Sequence, residues 1–447
     1  MFNIKSIKFV SCFKGILIYI GILIFFVLFM FLGCLIPSKY LEKHVVESSN
    51  IINENGLNNT IIPMINFELD NYTDSLMINE AYSVDNSNAL YSAFAVRKNY
   101  KKNQTKYEEF DTSHELKSIG LKEYAPHTEL GLFLDGKIDT SINYARYWHG
   151  YLPLLRVLLL FLNISEIRIL FFIVFSFLLV IFFILLKKRL GLKYALIFSS
   201  ALILSGYSFI HITLQNVPVF MVMIISSIIL LFRIEKIKSF NLYIFIVGCF
   251  TNFFDYLTVP LITLGIPLYI YLIYNSKKEK FDLKKQFIFL FKASICWLIG
   301  YSFTWLAKWV LFDLFYDGNL IKVAFEQVFY RTLGDIKFGY ESRTGILIMN
   351  LFYALYNIFL SSFFLVPFYL YLWFFKKKSI KKKYINLKSW IKNNILYFVI
   401  LCFPFIWYIV LCNHSLSHYW FVCRLMMLFL IGFMLIITDI VCYDCKE

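Results

Sequence analysis

The sequence predicts an all-α polytopic membrane protein of about ten transmembrane helices, with a large first extracytoplasmic loop that contains interfacial helices. Three observations carry that expectation. The composition, 59% hydrophobic, 20% aromatic and only 16% charged, lies far outside the soluble range. Apolar blocks recur that are long enough to cross a hydrocarbon core of about 30 Å as helices. Lysine and arginine collect in every second connection between those blocks.

The blocks fall near 16–37, 168–186, 194–214, 217–232, 240–257, 258–275, 286–309, 346–374, 395–412 and 421–440. With the N-terminus inside, the inner segments 1–15, 187–193, 233–239, 276–285 and 375–394 hold three, four, three, five and eight basic residues. The turns at 215–216, 255–260 and 412–420 hold none. Both ends are therefore expected in the cytoplasm. The net charge of +15 reads as a topology signal, with lysines facing anionic membrane lipids and no nucleic acid. The first block is too long for a signal peptide and lacks a small-residue cleavage site, so it reads as a signal-anchor helix.

Four parts follow: an N-terminus and first helix over 1–37, an extracytoplasmic region over 38–167, a nine-helix region over 168–440 with a second outer loop near 310–344, and a tail over 441–447. None of the nine cysteines lies in the large outer region, so no disulfide framework is implied. Cys442 and Cys445 have metal-ligand spacing but no second pair. Lysine-, isoleucine- and asparagine-heavy usage points to a bacterial plasma membrane.

Region 38–167 holds 17 of the 29 acidic residues against 12 basic ones, so chemistry is expected there. Residues 47–60 and 99–111 read as polar loops. Between them, Asp70 and Asp74 share a face if the stretch is helical, a spacing that can raise a carboxylate pKa or hold a cation. The alternative is that Asp70 caps a helix starting at Asn71 and Asp74 is solvated. Asp85 follows on the same stretch.

The segment D139-T-S-I-N-Y-A-R-Y-W-H-G-Y-L-P-L-L-R156 has good N-caps at Asp139, Thr140 and Ser141, and a proline that can open a helix at 153. Two short helices meeting at His149–Gly150 are expected. Tyr144, Tyr147, Trp148 and Tyr151 suit head-group depth, and Arg146 and Arg156 can reach lipid phosphates. Anchoring alone explains that mixture as well as a substrate-orienting role for Asp139 and His149 does. Further polar residues mark the outer ends of spans. Asp255 lies in a tight hairpin, where a carboxylate is costly unless paired. Lys308 stands between Trp305 and Trp309. His414 and His418 are four apart and followed by Arg424. The two histidines have no nearby carboxylate or cysteine to complete a metal set, whereas Lys308 and Arg424 suit a phosphate.

This organisation resembles the GT-C superfamily of membrane glycosyltransferases: an inside N-terminus, one span, a large acidic outer loop with interface helices, then many spans on short turns. D139-x-x-x-x-Y144 followed by W148-H-G-Y-x-P-L-L155 is similar to the aspartate-tyrosine-proline run of that loop. The family's paired acids directly after the first span are absent. The resemblance implies a polyprenyl-phosphate-linked sugar as donor and an envelope glycan, lipid or protein as acceptor. An outer-loop aspartate would be the general base, ranked Asp70 or Asp74, then Asp139, then Asp85. Lys308, Arg424 or Arg146 would grip the phosphate, and the aromatic rings would stack on the sugar. No cofactor is required on this reading, and a divalent cation is optional. The competing expectations are a transporter or flippase of a lipid-linked glycan, drawing on Asp255 and Lys308, and a non-enzymatic partner in envelope assembly.

Overall fold

The computed structural model describes residues 4–55, 58–62, 65–100, 126–138, 140–278, 282–316, 319–333, 344–345, 347–356, 358–359 and 387–442. The Cys442/Cys445 spacing, Asp139, most of the 99–111 stretch and most of the 346–374 block lie outside the described residues. The fold is about 83% helical and contains five helices long and apolar enough to cross a membrane. Those five cover Lys14–Cys34, Ile164–Leu190, Leu214–Arg233, Leu283–Phe315 and Tyr419–Thr438. Shorter apolar helices cover Leu192–Leu204, Phe240–Phe254, Ile262–Ser276, Leu347–Tyr356 and Asn394–Val410, so each predicted block coincides at least in part with an apolar helix. Side chains such as Phe172, Phe177, Phe232 and Phe291 stand more than half or about half exposed on these helices. That much open apolar surface is compatible with a hydrocarbon solvent.

In chain order, helix α1 (Ile4–Cys34) leads into α2 (Glu42–Asn55), a hairpin of β1 (Asn58–Ile62) and β2 (Ile65–Asp70), and α3 (Asn71–Tyr82). Helix α4 (Ala89–Phe94), β3 (Arg97–Tyr100), α5 (Pro126–Leu134), β4 (Thr140–Asn143) and α6 (Leu152–Leu159) complete the 38–167 region. The bundle follows with α7 (Ile164–Leu190), α8 (Leu192–Leu204), α9 (Val217–Arg233), α10 (Phe240–Phe254), α11 (Ile262–Ser276), α12 (Leu283–Phe315) and α13 (Leu320–Leu333). Helix α14 (Leu347–Tyr356) comes next. The C-terminal part is α15 (Leu387–Leu401), α16 (Phe403–Val410), α17 (Cys412–Ser417), α18 (Tyr419–Val422) and α19 (Met426–Cys442).

Two expectations change. The predicted loop at 47–60 is helical through Asn55, because Val45, Ser48, Ser49 and Ile52 form a buried stripe while the polar side faces out. Of the helix opening expected at Asp139–Ser141, Thr140 and Ser141 instead begin strand β4, paired antiparallel with β3 from Thr140↔Tyr100 to Asn143↔Arg97. Proline at the start of α6 does open a helix as expected.

Helix ends explain much of the outer region. Arg156, fully buried, donates from Nε to Gly33 O at 3.0 Å and from its other nitrogens to Ala81 O and Ile36 O. It satisfies carbonyls at the ends of α1 and α3 that have no helical partner, and so does not reach for lipid phosphate. Asn86 adds bonds to Cys34 O at 2.7 Å and Ile36 O at 2.6 Å. Helix α7 opens on a capping box, Asn163 with Glu166, and closes on Lys187, Lys188 and Arg189 before Gly191 at φ 99°. In the bundle, a Cβ on Gly248 would collide with Trp297 O and one on Gly300 with Phe245 O. Helices α10 and α12 therefore touch backbone to backbone, as small residues permit in membranes.

Helix α3 is buried on nearly every side. Asp70 caps it, accepting from Thr73 N at 3.0 Å. Asp74 is not solvated: it pairs with Arg168 Nη2 at 2.6 Å and accepts from Leu214 N at 2.7 Å. Burial pushes its carboxyl up to about 6, against the opposing pull of Arg168. Replacing Arg168 with alanine strands that carboxylate and is expected to cost about 3–5 kcal/mol, and Asp74→Asn on the same background should recover part of it. Thermal unfolding in detergent checks both.

Glu129, 5% exposed on α5, is pushed up to about 7 by burial, with Lys98 opposing. The folded chain thus holds this proton more tightly than the unfolded chain, whose value is near 4.5. The resulting stabilisation is complete below that value and lost as pH rises through about 7. Glu129→Gln should therefore match the parent at pH 4 and exceed it at pH 8, by at most about 3 kcal/mol. Equal unfolding temperatures at both pH values would count against this account.

Candidate functional site

At the end of the bundle that carries the 38–167 region, six segments meet around a small polar cavity of about 50 Å³. Tyr72, Thr73 and Leu76 come from α3, and Tyr144 and Tyr147 from the turn after β4. Gln215 comes from the turn before α9, and Tyr256 and Thr258 from the turn after α10. Arg331 of α13, His414 of α17 and the group His418, Trp420 and Phe421 close it. The walls are largely aromatic, with a few polar groups placed among them.

Asp70 backs this cavity. Its Oδ2 accepts from Thr73 Oγ1 at 2.9 Å, Gln215 Nε2 at 2.6 Å and Trp420 Nε1 at 3.3 Å. Trp420 also links it to a cation, because Arg424 Nη1 donates to Trp420 O at 3.0 Å. Arg424 is buried and its Nε has no partner. The residue pair sought from the sequence, an early aspartate with Arg424, is thus brought together across about 350 residues through one tryptophan.

Arg331, which sequence reading missed, supplies a second cation. His414 Nε2 donates to Leu257 O at 2.7 Å, so its Nδ1 is free to accept, and Arg331 Nη1 donates to it at 2.5 Å. Burial and the adjacent guanidinium hold the His414 imidazole well below its usual range, so it is neutral. Arg331 Nη2 donates to Tyr147 OH at 3.2 Å. Among the described residues neither Arg331 nor Arg424 forms an ion pair.

Behind Tyr256 lies a second carboxylate that the sequence did not single out. Glu80 Oε2, fully buried, accepts from Tyr151 OH and from Tyr256 OH at 2.9 Å, and lies 3.2 Å from His149 Nδ1. His149 Nε2 donates to Tyr144 O at 2.8 Å. Glu80 Oε1 has no partner. A readable signal existed: Thr73, Leu76 and Glu80 recur at helical spacing, which puts an acid on an otherwise inward face. His149 adopts a left-handed backbone at φ 56°, and Gly150 beside it donates to Phe253 O at 2.9 Å, so close that a Cβ would strike the Phe253 ring.

Other sequence candidates serve the fold. Lys308 does not face the cavity. Its ammonium is buried against Phe94 O at 2.6 Å and lies 5.1 Å over the Trp148 ring, while Trp148 Nε1 donates to Thr304 O at 2.8 Å. Asp255 turns the chain, accepting from Thr258 N at 3.1 Å on both oxygens and from its hydroxyl. Asp85 caps a short turn through Ser87, whose hydroxyl and backbone N–H hold its carboxyl below the usual range. Arg146 stacks on Tyr144 and Tyr147, with 4.7 and 5.4 Å to the ring centroids. Its carbonyl accepts from Trp305 and Trp309, each at 3.0 Å. His414 and His418 pack ring to ring at 4.8 Å, and among the described residues no group of three His, Cys, Asp or Glu is placed to hold a metal.

No family model, no curated protein and no solved structure matches this chain.

Glu80 joins α3 to the turn at Tyr151 and to the turn at Tyr256. Glu80→Leu is expected to lower stability by about 2–4 kcal/mol, since Tyr151 and Tyr256 lose their acceptor, whereas Glu80→Gln keeps an acceptor and should cost less than half of that. Thermal unfolding of the two variants side by side checks the order; a leucine variant as stable as the parent removes the cluster's structural role.

Proposed function

We propose that this protein is a plasma-membrane glycosyltransferase of ten crossings with both ends cytoplasmic, moving a sugar from a polyprenyl-phosphate donor to an envelope glycan, lipid or protein acceptor. The observation that carries the reading is one aromatic-walled cavity lined by the buried Arg331, with Asp70 behind one wall and the buried Arg424 held on the Trp420 carbonyl; among the described residues neither arginine forms an ion pair. In this mechanism the acceptor hydroxyl gives its proton to Asp70 as its oxygen attacks the anomeric carbon. The bond from that carbon to the phosphate oxygen breaks. The released phosphate keeps the electron pair, and Arg331 and Arg424 stabilise its charge. Tyr144, Tyr147 and Trp420 offer ring faces to the sugar. Phosphate neutralised by two guanidiniums is a workable leaving group with or without a divalent cation.

A cavity of about 50 Å³ is smaller than a sugar ring, so donor binding must part the aromatic wall. Asp74 bonds to Arg168 and Asp85 to Ser87, away from the cavity lining, whereas Asp70 bonds to Thr73, Gln215 and Trp420 of that lining, which favours Asp70 as the base. Asp255 and Lys308, on which a transport route would draw, are both tied to the polypeptide itself.

With the full chain in proteoliposomes and polyprenyl-phosphate sugars as donors, Asp70→Asn, which keeps a helix-capping oxygen, should lower turnover about 10²–10⁴-fold while the protein still folds at a reduced unfolding temperature. Arg331→Ala should lower kcat/KM by about tenfold or more. Parent-level turnover from Asp70→Asn sinks the assignment of the base.

A further inference from the structure

Behind the wall of the polar cavity, four polar atoms lie in mutual contact. Glu80 Oε2 accepts from Tyr151 OH and from Tyr256 OH at 2.9 Å, and the two phenols also touch each other. His149 Nδ1 stands 3.2 Å from Glu80 Oε2, 3.4 Å from Tyr151 OH and 3.3 Å from Tyr256 OH. Every pair among the four is within hydrogen-bond reach, so the number of protons they share decides whether the group attracts or repels.

The bonds around the group bear on that number. His149 Nε2 lies 2.8 Å from Tyr144 O, a carbonyl that can only accept, so Nε2 carries a proton and the neutral ring has a bare lone pair at Nδ1. Each phenol brings one proton more. With those two alone, both tyrosines can serve Glu80, but Glu80 Oε2 and His149 Nδ1 then face each other as lone pairs. A third proton on that line, carried by either atom, turns the repulsion into a hydrogen bond and leaves a fully buried group without net charge.

No fixed cation takes that proton's place. Among the described residues Glu80 pairs with no lysine or arginine, and its Oε1 has no partner. Charged groups on the surrounding elements are engaged elsewhere: Arg156 of α6 on Ala81 O, Arg168 of α7 on Asp74, Arg331 of α13 on His414 and Tyr147, and Asp255 on Thr258. On α2, His44 meets Leu159 O and Glu47 meets Asn163; Glu129 of α5 is opposed by Lys98 of β3, and Arg97 stacks on Tyr91. Asp70, at the head of α3, bonds to Thr73, Gln215 and Trp420.

We infer that Glu80 and His149 share one bound proton, and that this proton site is linked to the occupant of the polar cavity. Tyr256 bonds to Glu80 and Tyr144 to His149, and both tyrosines line that cavity. With the proton bound, an anion among those tyrosines has an uncharged group behind them; with the proton lost, it has a negative one. The anion therefore holds the proton in place, and by reciprocity the proton tightens the anion by the same factor. Arg331 in the wall is what an anion would enter for. The site goes beyond the transfer reaction and needs neither sugar nor lipid.

The test uses the full chain in liposomes, with nitrogen-labelled histidine and carboxyl-labelled glutamate read by solid-state NMR across pH. Signals are assigned with Glu80→Gln, which keeps an acceptor, and His149→Asn, since asparagine tolerates the left-handed backbone there. Expected in the parent is one proton lost from both residues at one midpoint, a transition missing from His149 in Glu80→Gln. Added sulfate, which does not itself titrate in this range, should move the midpoint to higher pH by a coupling of about fivefold or more, and Arg331→Ala should shrink that displacement. Separate midpoints for the two residues, or a midpoint indifferent to sulfate, overturn the inference. Proton uptake with sulfate that survives Glu80→Gln belongs to another group such as Asp70, and overturns it too. If Glu80→Gln misfolds, the shared midpoint and its response to sulfate in the parent still decide.

Discussion

The contact between Asp74 and Arg168 places two buried charges 2.6 Å apart, and the candidate site hangs from the helix they secure. Helix α3 is buried on almost all sides and so has no single apolar face to dock. Polar contacts fix it instead: Asp70 and Asp74 at its start, Glu80 near its end. Arg168 belongs to α7 and also donates to Asn71 Oδ1 at 2.8 Å, while Leu214 N approaches Asp74 from the turn before α9. One carboxylate thereby sets the outer region on two bundle helices. Since desolvated charges tolerate little misalignment, Thr73 and Leu76 come to the cavity wall in a defined position.

The apolar blocks were legible in the sequence because a bilayer imposes length and hydropathy on whatever crosses it, and the Asp70 cap was legible because capping is local chemistry. Glu80 and Arg331 were not, since what gives them meaning is convergence: Glu80 meets Tyr151 and Tyr256, 71 and 176 residues away. Lys308 and Asp255 misled for a physical reason. A charge at membrane depth must be compensated, and a substrate is only one way to do it; here backbone carbonyls, the Trp148 face and the Thr258 turn do so instead. At 140–143 the residues that cap helices also tolerate strands, and pairing with 97–100 decided between them.

Strain gathers around the same place. His149 at φ 56° and Leu257 at φ 69° are two of the three non-glycine residues in the left-handed region among those described. Each flanks the cavity and each has its unusual backbone held by contacts: Gly150 against Phe253 beside one, the Leu257 carbonyl under His414 at the other. Conformations that cost of order 1–3 kcal/mol persist where the surroundings over-determine them, and sites that must hold groups in position are where such cost is tolerated. Here they aim Tyr147, Tyr256 and the imidazole of His414 at one small volume.

The neutrality of His414 bears on what that volume is for. An aspartate in its place would also accept from Arg331 and would cancel the guanidinium charge, giving a stable and chemically inert pair. A neutral imidazole accepts the same N–H and leaves the charge standing. Tyr147 does likewise on the other nitrogen, and Arg424 is met by a tryptophan carbonyl. A buried guanidinium held by neutral acceptors, as Arg331 is, is oriented without being neutralised, which destabilises the empty fold relative to one in which an anion is present, whereas Arg424 also feels the Asp70 carboxylate. On the proposed reading an anionic ligand returns that free energy, and a guanidinium in the cavity wall suits a phosphate.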